Sequence, residues 1–381
     1  MANHDPVAFA HELGARLASR ARHVCVFIGA GGGKACGLPA IAELESKVAS
    51  SLPAEQREAF ADQVKRGNLE QALSRIRRIA TLLEGESTTV DDLSADAAVK
   101  LDNAICQAVV SHLAVDGADL DPMRAFASWA AAGDYHTPIE VFTVNYDLLI
   151  ETAFEEIALP YFDGFVGVLR ARFRADLVEA IGGRTPELPS SFVRLWKIHG
   201  SVNWASGREA NEEIVRLGAP VSGGVPAAIY PSDAKYEESR RVPFVVLHDR
   251  LRRALEEPET LVIVTGYSFS DQHLNETLFE ATRRRPRSEV IAFCRSEIPE
   301  QLAEEAKKTP NLQALANKEA IIASVRADWK EPTDPPAGIW DNGFLLGDFS
   351  ALTAFLSRST AAEDSIAGRL AATRRAVSEQ A

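Results

Sequence analysis

A chain of 381 residues with 46% hydrophobic and 25% charged side chains has room for one large α/β domain plus an inserted module. Its 41 basic against 54 acidic residues leave a net charge of -13, which disfavours direct nucleic-acid binding. No apolar run reaches the roughly 20 residues that span a bilayer, and the N-terminus lacks the charged-then-apolar order of a secretory signal, so the expectation is a cytoplasmic protein without membrane contact.

In chain order, "PVAFAHELGARLAS" has helical spacing of its apolar residues and leads into "VCVFIGAGGG", a fully apolar strand that runs into glycines. A helix is predicted from Pro39 to Ser50, with Pro39 in its first turn. Residues 54–131 are helical in pattern, including "QREAFADQVKRGNLEQALSRIRRIATLL", and hold no convincing strand. They read as a helical insertion between two strands of a sheet. "IEVFTV" resumes that sheet and "LLIETAFEEIA" is the helix behind it.

Residues 159–241 are irregular and rich in Gly and Pro, with short strands expected at "FVRLWKIH" and "PAAIYP". So long a loop-rich segment inside a compact domain is often functional. Helix, strand, helix, strand and helix follow at "FVVLHDRLRRALEE", "TLVIVTGYS", "DQHLNETLFEATRRR", "EVIAFC" and "PEQLAEEAKK". A last strand, "EAIIAS", precedes a helical tail. The alternation predicts an α/β fold: a Rossmann-like doubly wound parallel sheet, with the helical insertion and a loop-rich second module. The basic cluster "RRRPR", Arg283 to Arg287, reads most simply as the solvated end of a helix. Cys25, Cys36, Cys106 and Cys294 form no C-x-x-C pair, which argues for buried small hydrophobes and against a zinc ribbon.

Four stretches are equipped for chemistry. In "FIGAGGGKACGLP", strand, glycines and helix make a place where backbone N–H groups can meet a pyrophosphate. It is neither an ATP P-loop, since Ile28 takes the first glycine position and Ala35 follows Lys34, nor the dehydrogenase fingerprint, since Lys34 replaces the third glycine. A tight strand–helix turn would explain it equally. In "TVNYD", Asn145 or Asp147 can cap the next helix. Alternatively, both meet a ligand, the amide on ribose hydroxyls and the carboxylate on a carboxamide N–H. In "WKIHGSVNW", His199 stands at a strand end before Gly200, where a general base is well placed. Trp196 and Trp204 are expected to pack. In "VIVTGYSFSDQHLNETLFEA", Ser270 or Asp271 is an N-cap, while Gly266 and Ser268 can present donors to a second phosphate or ribose.

Taken in order, these stretches resemble the sirtuin superfamily, in particular the bacterial sirtuin-like domains of antiphage defence systems. The sirtuin pattern G-A-G-x-S…G-I-P is matched by Gly29, Ala30, Gly31, Gly37, Leu38 and Pro39, with Gly33 where serine is usual and without the following Phe-Arg. N-x-D is matched by Asn145 and Asp147, H-G by His199 and Gly200, and the late G-x-S by Gly266 and Ser268. The resemblance spans roughly residues 20–295. Deacetylating sirtuins carry a four-cysteine zinc module after His-Gly, whereas this chain has no Cys between Cys106 and Cys294, so no zinc is expected.

The resemblance implies an NAD hydrolase that cleaves the nicotinamide–ribose bond and depletes NAD during infection. Asn145, His199 and Asp147 would be catalytic, and Gly29, Ala30, Gly31, Gly33, Gly266, Ser268 and Asp271 would bind the nucleotide. It further implies a homo-oligomer whose trigger lies in a partner, either a ring-forming DNA-translocating ATPase of the HerA type or an Argonaute-like protein. The rival readings are an ADP-ribosyl or acyl-group transferase and a non-catalytic nucleotide-sensing subunit. The expected organisation is a sirtuin-like domain at 1–53 and 132–300, the insertion at 54–131, and a C-terminal strand and helices at 301–381 for oligomerisation or partner contact.

Overall fold

In the computed structural model of the chain, the structure describes residues 3–181, 191–205, 213–222, 227–229 and 242–359. The strands are β1 (Val24–Ile28), β2 (Ile139–Thr143), β3 (Tyr161–Phe162), β4 (Phe165–Val166), β5 (Arg170–Phe173), β6 (Val193–Lys197) and β7 (Gly200–Ala205), followed by β8 (Val215–Leu217), β9 (Ala227–Ile229), β10 (Leu261–Thr265), β11 (Glu289–Phe293), β12 (Leu312–Leu315), β13 (Glu319–Ile322) and β14 (Val325–Asp328). The helices are α1 (Pro6–Ala18), α2 (Ala30–Ala35), α3 (Ile41–Ser51), α4 (Ala54–Val64), α5 (Leu69–Leu82) and α6 (Ala95–His112), then α7 (Asp121–Ala132), α8 (Leu149–Glu156), α9 (Ala175–Glu179), α10 (Phe244–Glu256), α11 (Gln272–Arg284) and α12 (Glu300–Ala306). A further helix occupies residues 349–359.

Nine strands form one sheet in the order β14-β13-β12-β11-β10-β1-β2-β6-β3, parallel from β12 to β3 and antiparallel at the β13 and β14 edge. Every residue of β1, β2, β6 and β10 is buried, as befits parallel strands covered on both faces. Side chains alternate between two cores. Val24, Val26 and Ile28 of β1 join α1 and the α3–α8 helices on one face. Cys25 and Phe27 join α10, α11 and α12 on the other.

The helical stretch before β2 is broken where the sequence pattern looks continuous. Asn68 accepts a hydrogen bond from the Gln71 amide at 2.9 Å and caps α5, so "VKRGNLE" ends α4 and starts a second helix. The segment read as mostly irregular also holds more structure than expected. It supplies β3 to the large sheet and a second, five-stranded sheet in the order β4-β5-β8-β7-β9. These strands run two to six residues, too short for periodicity to expose them. Residues 360–381, the end of the expected helical tail, lie outside the described residues.

Two smaller expectations are met. Arg283 makes two 2.6 Å bonds to Glu305, and Arg284 and Arg287 pair with Glu280 and Glu259, so the basic cluster is a solvated helix end. All four cysteines are free and buried.

Near the starts of the strands, Glu140 is fully buried and receives Arg250 Nε at 2.8 Å, Trp196 Nε1 at 2.7 Å and His23 Nε2 at 3.1 Å. Burial opposes charge on both His23 and Glu140, yet the partners prevail. The Cys25 sulfur and Glu140 hold His23 up to about 10, while His23 and Arg250 hold Glu140 below the usual carboxylate range. The network braces the sheet at the end opposite the candidate site.

Candidate active site

Strand register places the candidate residues along one rim. Ile28 pairs with both Thr265 and Thr143, Thr143 with Lys197, and Thr265 with Phe293, so these five residues form one row at the C-terminal ends of β10, β1, β2, β6 and β11. Gly29 and Gly266 lie one residue beyond the row, and Asn145 and His199 two beyond. After β1 the chain builds outward through β2 and β6, then returns to lay β10 on the other side of β1. That reversal is where open α/β sheets bind ligands.

The glycines at the reversal are required by backbone contact. A Cβ at Gly29 would lie 2.5 Å from the Gly266 carbonyl oxygen, and one at Gly31 would lie 2.5 Å from Gly266 Cα. Gly266, at φ +63°, would in turn strike Gly32 N at 2.8 Å. The Gly29 and Gly31 amides donate to the carbonyls of Thr265 (3.0 Å) and Gly266 (2.8 Å). Those two N–H groups are therefore committed to β10 and are not free for a pyrophosphate in this arrangement. The tight-turn explanation accounts for them.

Gly33 has a different neighbourhood. A Cβ there would lie 3.1 Å from Asp147 Oδ2 and 3.9 Å from Asn145 Nδ2. The loop carrying this pair is clamped from several sides. Thr143 Oγ1 donates to the Ile28 carbonyl at 2.8 Å and accepts from the Asn145 amide at 3.0 Å. The Tyr146 carbonyl accepts from Val202 N at 2.9 Å, and Tyr146 Oη donates to Glu70 on α5 at 3.2 Å. Lys197, almost fully buried, donates through Nζ to the Asp147 carbonyl and to Glu151 Oε1 at 2.9 Å.

Asp147, not Asn145, serves α8: its Oδ1 accepts from the Leu149 amide at 3.1 Å. Burial pushes the Asp147 carboxyl above its usual range, against the opposing charge of Lys197. Asn145 Nδ2 is buried without a hydrogen-bond partner.

His199 stands at the corner between the two sheets. Only Ile198 and His199 separate β6 from β7, and Gly200 at φ +96° makes the turn. The imidazole is buried and Nε2 has no hydrogen-bond partner. Its nearest anionic group is Asp271 Oδ2 at 3.6 Å, too long for a hydrogen bond. The His248 ring, from α10, lies 6.4 Å away between centroids. Burial, with His248 facing it, pulls His199 down to about 4, against Asp271, so the imidazole is neutral at pH 7.

Asp271 caps α11, accepting from His273 N at 2.9 Å and Leu274 N at 3.2 Å. Ser268 is exposed and shares a 2.9 Å bond with Ser270. Asn275 braces this turn by accepting from Tyr267 Oη at 3.0 Å and donating to the Phe269 carbonyl at 2.8 Å.

A cavity of about 680 Å³ opens on the β11 side of the glycine turn, with Gly31, Lys34, Gly266, Ser268, Arg295 and Asp348 among its walls. Asn145, Asp147, His199 and Asp271 do not line it. The turn thus divides the rim, with Gly31 and Gly266 on the cavity and Gly33 against the Asn145–Asp147 pair. Trp196 and Trp204 are buried and pack. Sequence reading missed Lys197 and His248. A lysine that ends a buried strand two residues before His-Gly is the signal that marks Lys197; His248 sits in an ordinary amphipathic helix and gives none.

Residues 139–316 match the family model of the SIR2-like domain. Over that stretch the chain is similar to a SIR2-like domain. The match takes in β2 through β12, including Asn145, Asp147, His199, Gly266 and Ser268, and begins after the glycine turn. No curated protein matches the chain. SIR2-like domains are generally NAD-dependent enzymes and use NAD as substrate. Among the described residues, no group of three or more His, Cys, Asp or Glu side chains is arranged to hold a metal ion.

Proposed function

We propose that this chain is an NAD glycohydrolase, cleaving the nicotinamide–ribose bond to give nicotinamide and ADP-ribose. The observation that carries the reading is a pair of orphaned atoms. Asn145 Nδ2 and His199 Nε2 are buried without hydrogen-bond partners at the ends of neighbouring strands. Leaving such a group unsatisfied costs about 1–3 kcal/mol, a cost that persists where function needs the group: a ligand completes the bond of Asn145 Nδ2, and His199 Nε2 faces the Asp271 carboxylate at 3.6 Å.

Nicotinamide leaves neutral from a cationic ring, so the site must support an oxocarbenium-like ribose, orient the leaving group and admit one water. Asn145 takes the ribose and the water. Asp147, fixed by Lys197 and by its own bond to Leu149, accepts the carboxamide N–H. His199, neutral at pH 7, takes a proton from a ribose hydroxyl or from the water, a contribution of roughly 10²–10⁴-fold. Gly31, Gly266 and Ser268 border the pyrophosphate together on the cavity wall, and Gly29, Ala30 and Gly33 shape the turn that holds them there. With two glycine amides committed to β10, Lys34 and Arg295 on the cavity wall supply positive charge for phosphate.

In this reading the sirtuin-like unit comprises 1–53 and 132–300, with 54–131 inserted and 301–381 at its side. The Tyr146–Glu70 bond ties the insertion to the catalytic loop. The role is NAD depletion in antiphage defence, in a homo-oligomer triggered by a translocating ATPase or an Argonaute-like partner. The test is incubation with NAD, alone and with the products of neighbouring genes, followed by chromatography. Nicotinamide and ADP-ribose in equal amounts are expected; a mass-shifted protein without free ADP-ribose would instead identify a transferase.

A further inference from the structure

The two carboxylate oxygens of Asp271 have different occupations. Oδ1 caps α11 through the amides of His273 and Leu274. Oδ2 faces His199 Nε2 at 3.6 Å, with the two side chains 9% and 8% exposed. Nε2 has no hydrogen-bond partner, and Asp271 is absent from the walls of the neighbouring cavity. The charged or titratable groups that face His199 are Asp271, from the start of α11, and His248, from α10; His273 in turn neighbours His248.

We propose that Asp271 is the positioning carboxylate of His199, holding the imidazole with its proton on Nε2 and stabilising the imidazolium formed during turnover. The chemical half of this rests on the glycohydrolase reading; the pairing itself does not. With Nε2 committed to Asp271, Nδ1 is left as the base. The O–H bond of the water or ribose hydroxyl breaks, its proton goes to Nδ1 and its electron pair stays on oxygen. In hydrolysis the activated oxygen bonds the anomeric carbon as the C–N bond breaks, and that pair leaves on the nicotinamide nitrogen. Overall, NAD and water give nicotinamide, ADP-ribose and one proton.

Protonation of His199 draws the 3.6 Å gap toward the roughly 2.7–2.9 Å of a charge-assisted hydrogen bond. His248 works against that charge, so Asp271 is the counterweight that keeps the base usable. The cap fixes the carboxylate through its bonds to His273 and Leu274, so the imidazole is the group that moves to close the gap.

Asp271→Asn separates the roles, since asparagine caps helices as well as aspartate does. Histidine-selective nitrogen-15 NMR of the full chain at pH 7, with His199→Gln to assign the signal, reads the tautomer directly. The proposal expects Nε2–H in the parent and a mixed or inverted tautomer in Asp271→Asn. In NAD turnover it expects kcat to fall about 10-fold to 100-fold, at or below the ~10²-fold minimum of a full general-base effect because the base itself remains, with KM nearly unchanged. Nδ1–H in the parent, or an Asp271→Asn protein with the parent's tautomer and kcat, would overturn it. A protein that cleaves no NAD in any mixture overturns the glycohydrolase reading, and the tautomer still decides the role of Asp271.

Discussion

Gly33 and Asp147 approach so closely that a Cβ on the first would lie 3.1 Å from Oδ2 of the second. Position 33 is where the sirtuin pattern has serine, so this chain leaves open the space beside the Asn145–Asp147 pair. Gly33→Ala should fill it and push the carboxylate by a few tenths of an ångström. The expected result is a folded protein whose nicotinamide release falls about 10-fold to 100-fold, as small displacements of catalytic groups do. Circular dichroism and a nicotinamide assay on one preparation check both halves.

Lys197 is the fastening of the Asn145–Asp147 loop. Replacing it with Met keeps the volume but strips the donor from the Asp147 carbonyl and from Glu151. Each buried acceptor left unpaired costs about 1–3 kcal/mol. Urea unfolding should show a lower midpoint with an unchanged slope. Turnover should fall as well, because Asp147 then loses the neighbouring cation that favours its ionised form.

The pH dependence follows from His199. Its ordinary value of 6.5 is lowered to about 4 by burial and His248. In the proposed reading the working form is the neutral base, so protonation removes activity. The acid limb of kcat/KM should therefore lie near 4, with the rate at about pH 5.5 close to that at pH 7. Linkage acts in the same direction: a depressed histidine disfavours the folded state as pH falls from 6.5 towards 4. An acid limb near 6.5 would show His199 to be an unperturbed, solvated imidazole.

The doubly wound sheet was legible because its parallel strands are buried on both faces and read as unbroken apolar runs such as "VCVFI". The four rim motifs were legible because parallel register puts the ends of neighbouring strands in one row. Three things were hidden. The five-stranded sheet was masked by its short strands. The commitment of the Gly29 and Gly31 amides to β10 depends on a contact across more than 200 residues. The facing of Asp271 and His199 likewise joins segments that no local pattern connects.

The Glu140 network supplies a control at the far end of the sheet. Glu140→Gln leaves Arg250 and His23 buried without their anion, and breaking such a pair costs roughly 3–5 kcal/mol. Activity per folded molecule should stay near the parent's. The parent's own stability should weaken at alkaline pH. The contribution of raised His23 is complete below its ordinary value of 6.5 and is lost as pH rises towards about 10. Thermal midpoints across that range, for parent and Glu140→Gln, test the assignment.

The most direct test of the central claim is NAD turnover by the parent chain and by His199→Ala, each supplied with the same neighbouring gene products and followed by chromatography. The account predicts equal nicotinamide and ADP-ribose from the parent, and from the folded variant a loss of about 10²-fold or more, the minimum general-base contribution. Nicotinamide released by His199→Ala at the parent rate would contradict it.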